Sequence, residues 1–151
     1  MRYYLHSSLV DYSKMELHNE YHWVEDLLKH VHFPCYALLV ASSPDEIEKT
    51  RKYAQEIVDV MENHGLCLSG FDILDRNSAK RTKELVDKAD IIIAMGGHVP
   101  TQNAFFQEID LKKHLQDFHG VWIGSSAGSM NSATLVYAQP ELEGEVIDLT
   151  H

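Results

Sequence analysis

Val121-Trp122-Ile123-Gly124-Ser125-Ser126-Ala127-Gly128 reads as a strand that turns sharply into a helix. Gly120 to Gly124 is the strand, and Ala127 to Ala138 carries the helical pattern after it. In open α/β sheets, ligands bind at the carboxyl ends of the strands, where such turns lie. Gly124, Ser126 and Gly128 have the G-x-S-x-G spacing of a nucleophile elbow. Side chains at the two flanking positions would collide with neighbouring backbone. Glycine there leaves the Ser126 hydroxyl exposed above the sheet. The new helix would aim its first N–H groups and positive dipole end at the same point, which favours an alkoxide or a tetrahedral oxyanion. A phosphate-binding loop would also use Gly and Ser. Ser125 and Ser129 are nearby hydroxyls, and Ser129 is placed to bond within the first helical turn.

Working outward, the chain alternates strand and helix. Arg2 to Leu5 is a short first strand, and Met15 to Val31 carries apolar residues at helical spacing up to Pro34. Tyr36 to Ala41 is an apolar run suited to a parallel strand covered on both faces. Ser43-Pro44-Asp45-Glu46 predicts a helix start with Ser43 as the N-cap, and Gly65 is placed to end that helix. Leu66 to Leu74 is a third strand, followed by a helix opening at Asn77-Ser78. Asp90 to Met95 is a fourth strand, and Thr101 to His119 reads as one helix. Five such βα units predict a three-layer, doubly wound parallel sheet of flavodoxin-like type.

The fourth strand ends in Gly96-Gly97-His98-Val99-Pro100-Thr101. Two glycines let backbone approach a ligand closely. A free N–H there, with that of Ala127, would make a two-donor oxyanion hole. A tight turn that uses glycine for geometry alone would look the same. His98 is expected to line the site.

The composition narrows the function classes. With 151 residues the chain is expected to form a single domain able to bury roughly 70% of its unfolded surface. Its formal net charge of −10 and scattered basic residues argue against a nucleic-acid partner. No apolar run approaches the ~20 residues of a membrane span, and no signal peptide is visible. Cys35 and Cys67 both sit in apolar, strand-like runs and are expected to be buried thiols of a reducing compartment. A cytoplasmic enzyme or binding domain follows.

At its two glycine-bearing loops the sequence resembles the peptidase E family of serine peptidases (family S51), which includes aspartyl dipeptidases and cyanophycinases. The matching pieces are Ile91-Ile92-Ile93-Ala94-Met95-Gly96-Gly97 and Val121-Trp122-Ile123-Gly124-Ser125-Ser126-Ala127-Gly128. The resemblance implies a fold related to class I glutamine amidotransferases. It implies Ser126 as nucleophile and Gly97 and Ala127 as oxyanion donors, with Gly96 and His98 expected beside the substrate from the loop sequence itself. It also places the acidic triad member in the loop after the elbow helix, on Glu141, with Glu143 close behind. The substrates would be small peptides with an acidic N-terminal residue, cut without metal or cofactor. The family often shows Asn-Thr after its glycines, where this chain has His98-Val99. The family's catalytic histidine lies further past the serine than the 25 residues present here. The base is therefore expected beyond residue 151, and the C-terminal part of the family domain is expected to be missing. An incomplete sheet edge would favour self-association.

Two rivals share these motifs. One is a non-catalytic amidotransferase-like domain that binds a small acidic metabolite or regulates a partner. The other is an esterase using the same elbow. His18 and His22 have the i, i+4 spacing of a zinc pair, but no third ligand is evident, so they read as a solvated helix face. Trp23 and Trp122 read as core.

Overall fold

The computed structural model describes residues 1–138 and 148–150. Strand β1 (Arg2–His6) is followed by a small antiparallel hairpin of β2 (Val10–Asp11) and β3 (Glu16–Leu17). Then come α1 (Trp23–Leu28), β4 (Cys35–Val40), α2 (Ile47–Asn63), β5 (Leu68–Leu74), α3 (Thr82–Lys88) and β6 (Ile91–Ala94). Helices α4 (Val99–Glu108) and α5 (Leu111–His114) precede β7 (Val121–Ser125) and α6 (Ala127–Met130). Strands β8 (Val136–Ala138) and β9 (Asp148–Thr150) pair antiparallel.

Five strands form one parallel sheet in the order β1-β7-β6-β4-β5. These are the five strands read from the sequence. The three central strands, β4, β6 and β7, are apolar on both faces because both faces are covered, whereas the edge strands β1 and β5 are partly exposed. Ala37, Leu39, Ile91, Ile93, Val121 and Ile123 point into one core with α1 and α2. The alternate residues Leu38, Val40, Ile92, Ala94 and Trp122 point into a second core with α3, α4 and α5. This period of two puts helices on both sides of the sheet, a doubly wound α/β architecture. From β4 the chain steps outward to β5, then crosses back to β6 on the other side. The crevice above β4 and β6 is thus the topological switch point, where such sheets bind ligands.

Several local expectations are corrected. Met15 to Val31 is not one helix. Met15, Tyr21 and His22 have φ of 51°, 59° and 54°, which break any continuous helix there. Leu17 is instead buried through the β2–β3 hairpin, and only Trp23–Leu28 is helical. His18 and His22 consequently do not share a helical face. Helix α2 starts at Ile47, not after Ser43. Ser43–Glu46 forms a turn in which the Glu46 N–H and the Thr50 hydroxyl both donate to the Ser43 carbonyl. The Thr101–His119 helix divides at Asp110, whose φ is 52°. The helix after the elbow is one turn long. Ser132 donates its hydroxyl to the Gly128 carbonyl and accepts from the Trp122 indole, and Asn131 is drawn into a buried polar cluster, so side-chain bonding competes with further helix.

Gly65 ends α2 as expected: its φ is +77°, and Leu66 N–H closes back on the Met61 carbonyl at 2.9 Å. Cys35 is buried, and burial, then the Asp90 carboxylate, push its thiol up to about 12. Cys67 is exposed, contrary to expectation, because it lies in the loop before β5. Trp23 and Trp122 are core residues. Among the described residues no helix is long and apolar enough to cross a membrane.

Candidate active site

Four loops meet at the carboxyl ends of β1, β4, β6 and β7. They are Ser7-Ser8, Ala41-Ser42-Ser43, Met95-Gly96-Gly97-His98 and Ser125-Ser126. Together with the first turns of α2 they line a cavity of about 680 Å³.

Ser126 sits at the centre of this arrangement with φ 49° and ψ −111°. A non-glycine residue held there costs of order 1–3 kcal/mol and persists only where the surroundings fix it. The surroundings do so. The Ser126 N–H donates to the His6 carbonyl at 2.9 Å, and its carbonyl accepts from Ser129 and Met130 N–H at 2.9 and 3.0 Å. A Cβ on Gly124 would lie 2.9 Å from the Ser129 backbone, and one on Gly128 would lie 2.1 Å from the Ala94 carbonyl oxygen. The steric reason read from the sequence is therefore present at both glycines.

The three hydroxyls of the turn divide their roles. Ser125 Oγ accepts from the Leu9 N–H at 3.1 Å. Ser129 Oγ accepts from the His6 N–H at 2.9 Å and donates to the His6 carbonyl at 2.6 Å. Ser129 therefore ties the elbow to β1, and Ser125 ties it to the loop that follows β1. The Ser126 side chain has no hydrogen-bond partner among the described residues, and the residue is exposed to the cavity.

Gly97 has φ +151°, open to glycine alone, and an added Cβ would meet Ser42 Oγ at 2.3 Å. Ser42 donates its hydroxyl to the Gly96 carbonyl at 2.6 Å, and Gln102 donates to the Met95 carbonyl at 2.8 Å. Among the described residues neither the Gly97 nor the Ala127 N–H has a hydrogen-bond acceptor. Ala127, at the first position of α6, has no acceptor within its own helix. With a single helical turn behind it, the dipole is weaker than a twelve-residue helix would supply.

The loop and the elbow are also joined from beneath. Gln102 and Asn131 are buried, and Asn131 Nδ2 donates to Gln102 Oε1 at 3.0 Å and to the Val99 carbonyl at 3.2 Å. Asn103 Nδ2 donates to Asn131 Oδ1 at 3.1 Å. This chain of amides fixes α4 against α6, and so the glycine loop against Ser126. A satisfied buried network of this kind specifies one arrangement.

His98 lines the cavity, with Nδ1 2.6 Å from Thr101 Oγ1. Glu141, Glu143 and His151 lie outside the described residues. The sequence reading missed the opposite wall. Tyr12 and Tyr53 meet edge to face there, with centroids 6.3 Å apart, and Lys49 stands 3.5 Å from Glu46. Arg76 binds Asp45 and Glu108 at 2.8 and 2.6 Å, which ties this rim to α4. The available signal was Ser42-Ser43 directly after the apolar second strand.

His6 links the elbow to pH. Its imidazole packs at a tilt against Trp23, with ring centroids 4.6 Å apart, and burial, then the proximity of His18, lower it from the ordinary 6.5. The folded value lies below the unfolded one, so the unfolded chain binds more protons between the two. Stability is then complete above about 6.5 and is lost as pH falls through that window. Urea midpoints at pH 7.5 and 5 are expected to fall with acidification, and less so in His6→Gln. Equal pH slopes in the two proteins would refute this.

A doubly wound α/β sheet with a strained serine in a strand-turn-helix elbow at the switch-point crevice defines a class of fold. The particular fold is that of peptidase E-type structures. A Listeria monocytogenes EGD-e protein provisionally named peptidase E superposes with a TM-score of 0.58 at 18% identity, over 85% of this chain and 59% of that one. A peptidase from an acI-B1 Actinobacterium superposes with a TM-score of 0.56 at 20% identity, over 89% of this chain and 57% of that one. The chain thus spans less than two thirds of the length of these structures. No family model and no curated protein matches the sequence.

Proposed function

We propose that this chain carries the nucleophile and the oxyanion site of a serine-type peptidase acting on small peptides. The observation that supports it most is the geometry of Ser126. A strained φ/ψ presents an unpartnered hydroxyl to a cavity lined also by Gly97, and among the described residues the Gly97 and Ala127 N–H groups have no acceptor. In the reaction, Ser126 Oγ attacks the scissile carbonyl carbon and its proton passes to a base. The carbonyl oxygen becomes an oxyanion held by the two N–H groups. The resemblance assigns Glu141 to orienting that base. The likeness to two peptidase structures supports the fold required for this chemistry.

Lys49 supports a substrate with an acidic N-terminal residue, since among the described residues it is the cavity's one lysine or arginine. A second reading, a non-catalytic binding or regulatory domain, is favoured by His98, whose Nδ1 is engaged by Thr101 and not by Ser126. The test is hydrolysis of aspartyl dipeptides, neutral dipeptides, aspartyl anilides and matching esters. Cleavage of aspartyl amides above neutral ones is the expected result. Cleavage of esters alone would make it an acyl hydrolase. Binding of acidic dipeptides without turnover would leave the binding domain.

A further inference from the structure

We infer that Ser42 is a positioning residue that sets the oxyanion hole by fixing the Gly96–Gly97 peptide. This rests on the nucleophile reading of Ser126 and adds to it a residue on a different strand. Ser42 is buried directly after β4, and its hydroxyl donates to the Gly96 carbonyl at 2.6 Å. A trans peptide is planar, with its C=O and N–H pointing in opposite directions. Holding the Gly96 carbonyl toward Ser42 therefore turns the Gly97 N–H away from β4. The same peptide borders the nucleophile: a Cβ on Gly96 would lie 3.3 Å from both the Ser126 Cβ and the Ser125 carbonyl oxygen.

The fit is tight from both sides. A Cβ on Gly97 would come within 2.8 Å of the Ser42 Cβ as well as striking its hydroxyl. The preceding carbonyl, Met95, is held independently by Gln102. Two side chains from different elements thus hold consecutive carbonyls, and Ser42 holds the one whose peptide carries the Gly97 donor. Without the Ser42 hydroxyl the Gly96 carbonyl loses its donor and that peptide can rotate. An oxyanion donor contributes only when it is already aimed at the developing charge.

The experiment is inactivation of the full chain by a rhodamine-tagged fluorophosphonate. Ser126 Oγ forms a bond to phosphorus, the P–F bond breaks, fluoride leaves, and the hydroxyl proton passes to solvent. The phosphoryl oxygen then takes the place of the oxyanion. Removing one oxyanion donor costs about 10²–10³ in rate, and misaligning a donor that is still present is expected to cost about tenfold. Ser42→Ala should therefore lower the maximal inactivation rate about tenfold, with the half-saturating concentration and the melting temperature unchanged. Ser42→Thr, which keeps a hydroxyl, should recover part of the rate.

A merely structural serine would shift melting and saturation without this split. If Ser42→Ala lacks a melting transition, Ser42→Cys, near-isosteric and a weak donor, replaces it and the same split decides. Wild-type rates in Ser42→Ala, with labelling intact, would overturn the role of Ser42 alone. Failure of the wild-type chain to label would overturn the nucleophile reading and this inference with it.

Discussion

Ser126→Ala is expected to eliminate covalent labelling by a fluorophosphonate and to remove all peptide turnover above the level that binding and the oxyanion hole supply. Where a complete catalytic triad operates, loss of the serine costs on the order of 10⁶ in turnover, and a residue of about 10³–10⁴ over water survives from the rest of the site. The fold should be untouched. The Ser126 side chain has no hydrogen-bond partner among the described residues, while its backbone is held through its N–H and carbonyl, which alanine retains. The φ of 49° penalises alanine and serine alike, so the strain does not change. Melting temperature and circular dichroism should therefore match the wild type. Ser125→Ala and Ser129→Ala provide the contrast. Each removes a hydroxyl bonded to the backbone of β1 or of the loop after it, so each should lower stability by about 1 kcal/mol while keeping the nucleophile. Labelling that survives in Ser126→Ala and vanishes in Ser125→Ala would move the nucleophile by one residue.

The site was legible where the chemistry dictates the local sequence, and hidden where the fold supplies it. Gly124 and Gly128 could be read as steric necessities because each touches backbone from elements adjoining the same turn. The three central strands could be read because both their faces are buried. The order of the five strands in the sheet is not written in any one of them. That order brings β1 beside β7, so that the His6 carbonyl receives the Ser126 N–H. Ser42 was invisible for the same reason. A hydroxyl after a strand reads as a turn or a cap until the sheet sets it beside Gly97. The Met15–Val31 segment misled because Leu17, Tyr21, Val24, Leu27 and Leu28 keep helical spacing by coincidence. Leu17 is buried from a hairpin, Val24 and Leu27 from a short helix, while Tyr21 and Leu28 are 97% and 49% exposed. A true helical stripe would have buried all five on one face.

Gly128→Ala is expected to be the most damaging single methyl in the elbow. The added carbon would lie 2.1, 2.6 and 2.8 Å from the carbonyl oxygen, carbonyl carbon and Cβ of Ala94. None of these can yield easily. Ala94 is in β6, whose two neighbours, β4 and β7, hold it by ladder pairing on both sides. Relief must come from α6, which would have to lift off the sheet. That movement would strain the Asn131–Gln102 and Trp122–Ser132 hydrogen bonds. Overpacking against movable side chains costs about 1–3 kcal/mol, and against fixed backbone the upper end or beyond is expected. About 3 kcal/mol would lower the melting temperature by roughly 6–12 °C in a chain of this size. Gly65→Ala is the matched control. Its φ is +77°, yet nothing lies within 4 Å of the added carbon, so only the backbone penalty of about 1 kcal/mol applies. If Gly128→Ala melts like Gly65→Ala, α6 moves freely on β6, and the strain at Ser126 is not held by the sheet. If it melts well below, the methyl has displaced the helix that begins at Ala127. Labelling of Ser126 should then fall even at temperatures where the variant remains folded, because the Ala127 N–H no longer faces the oxyanion.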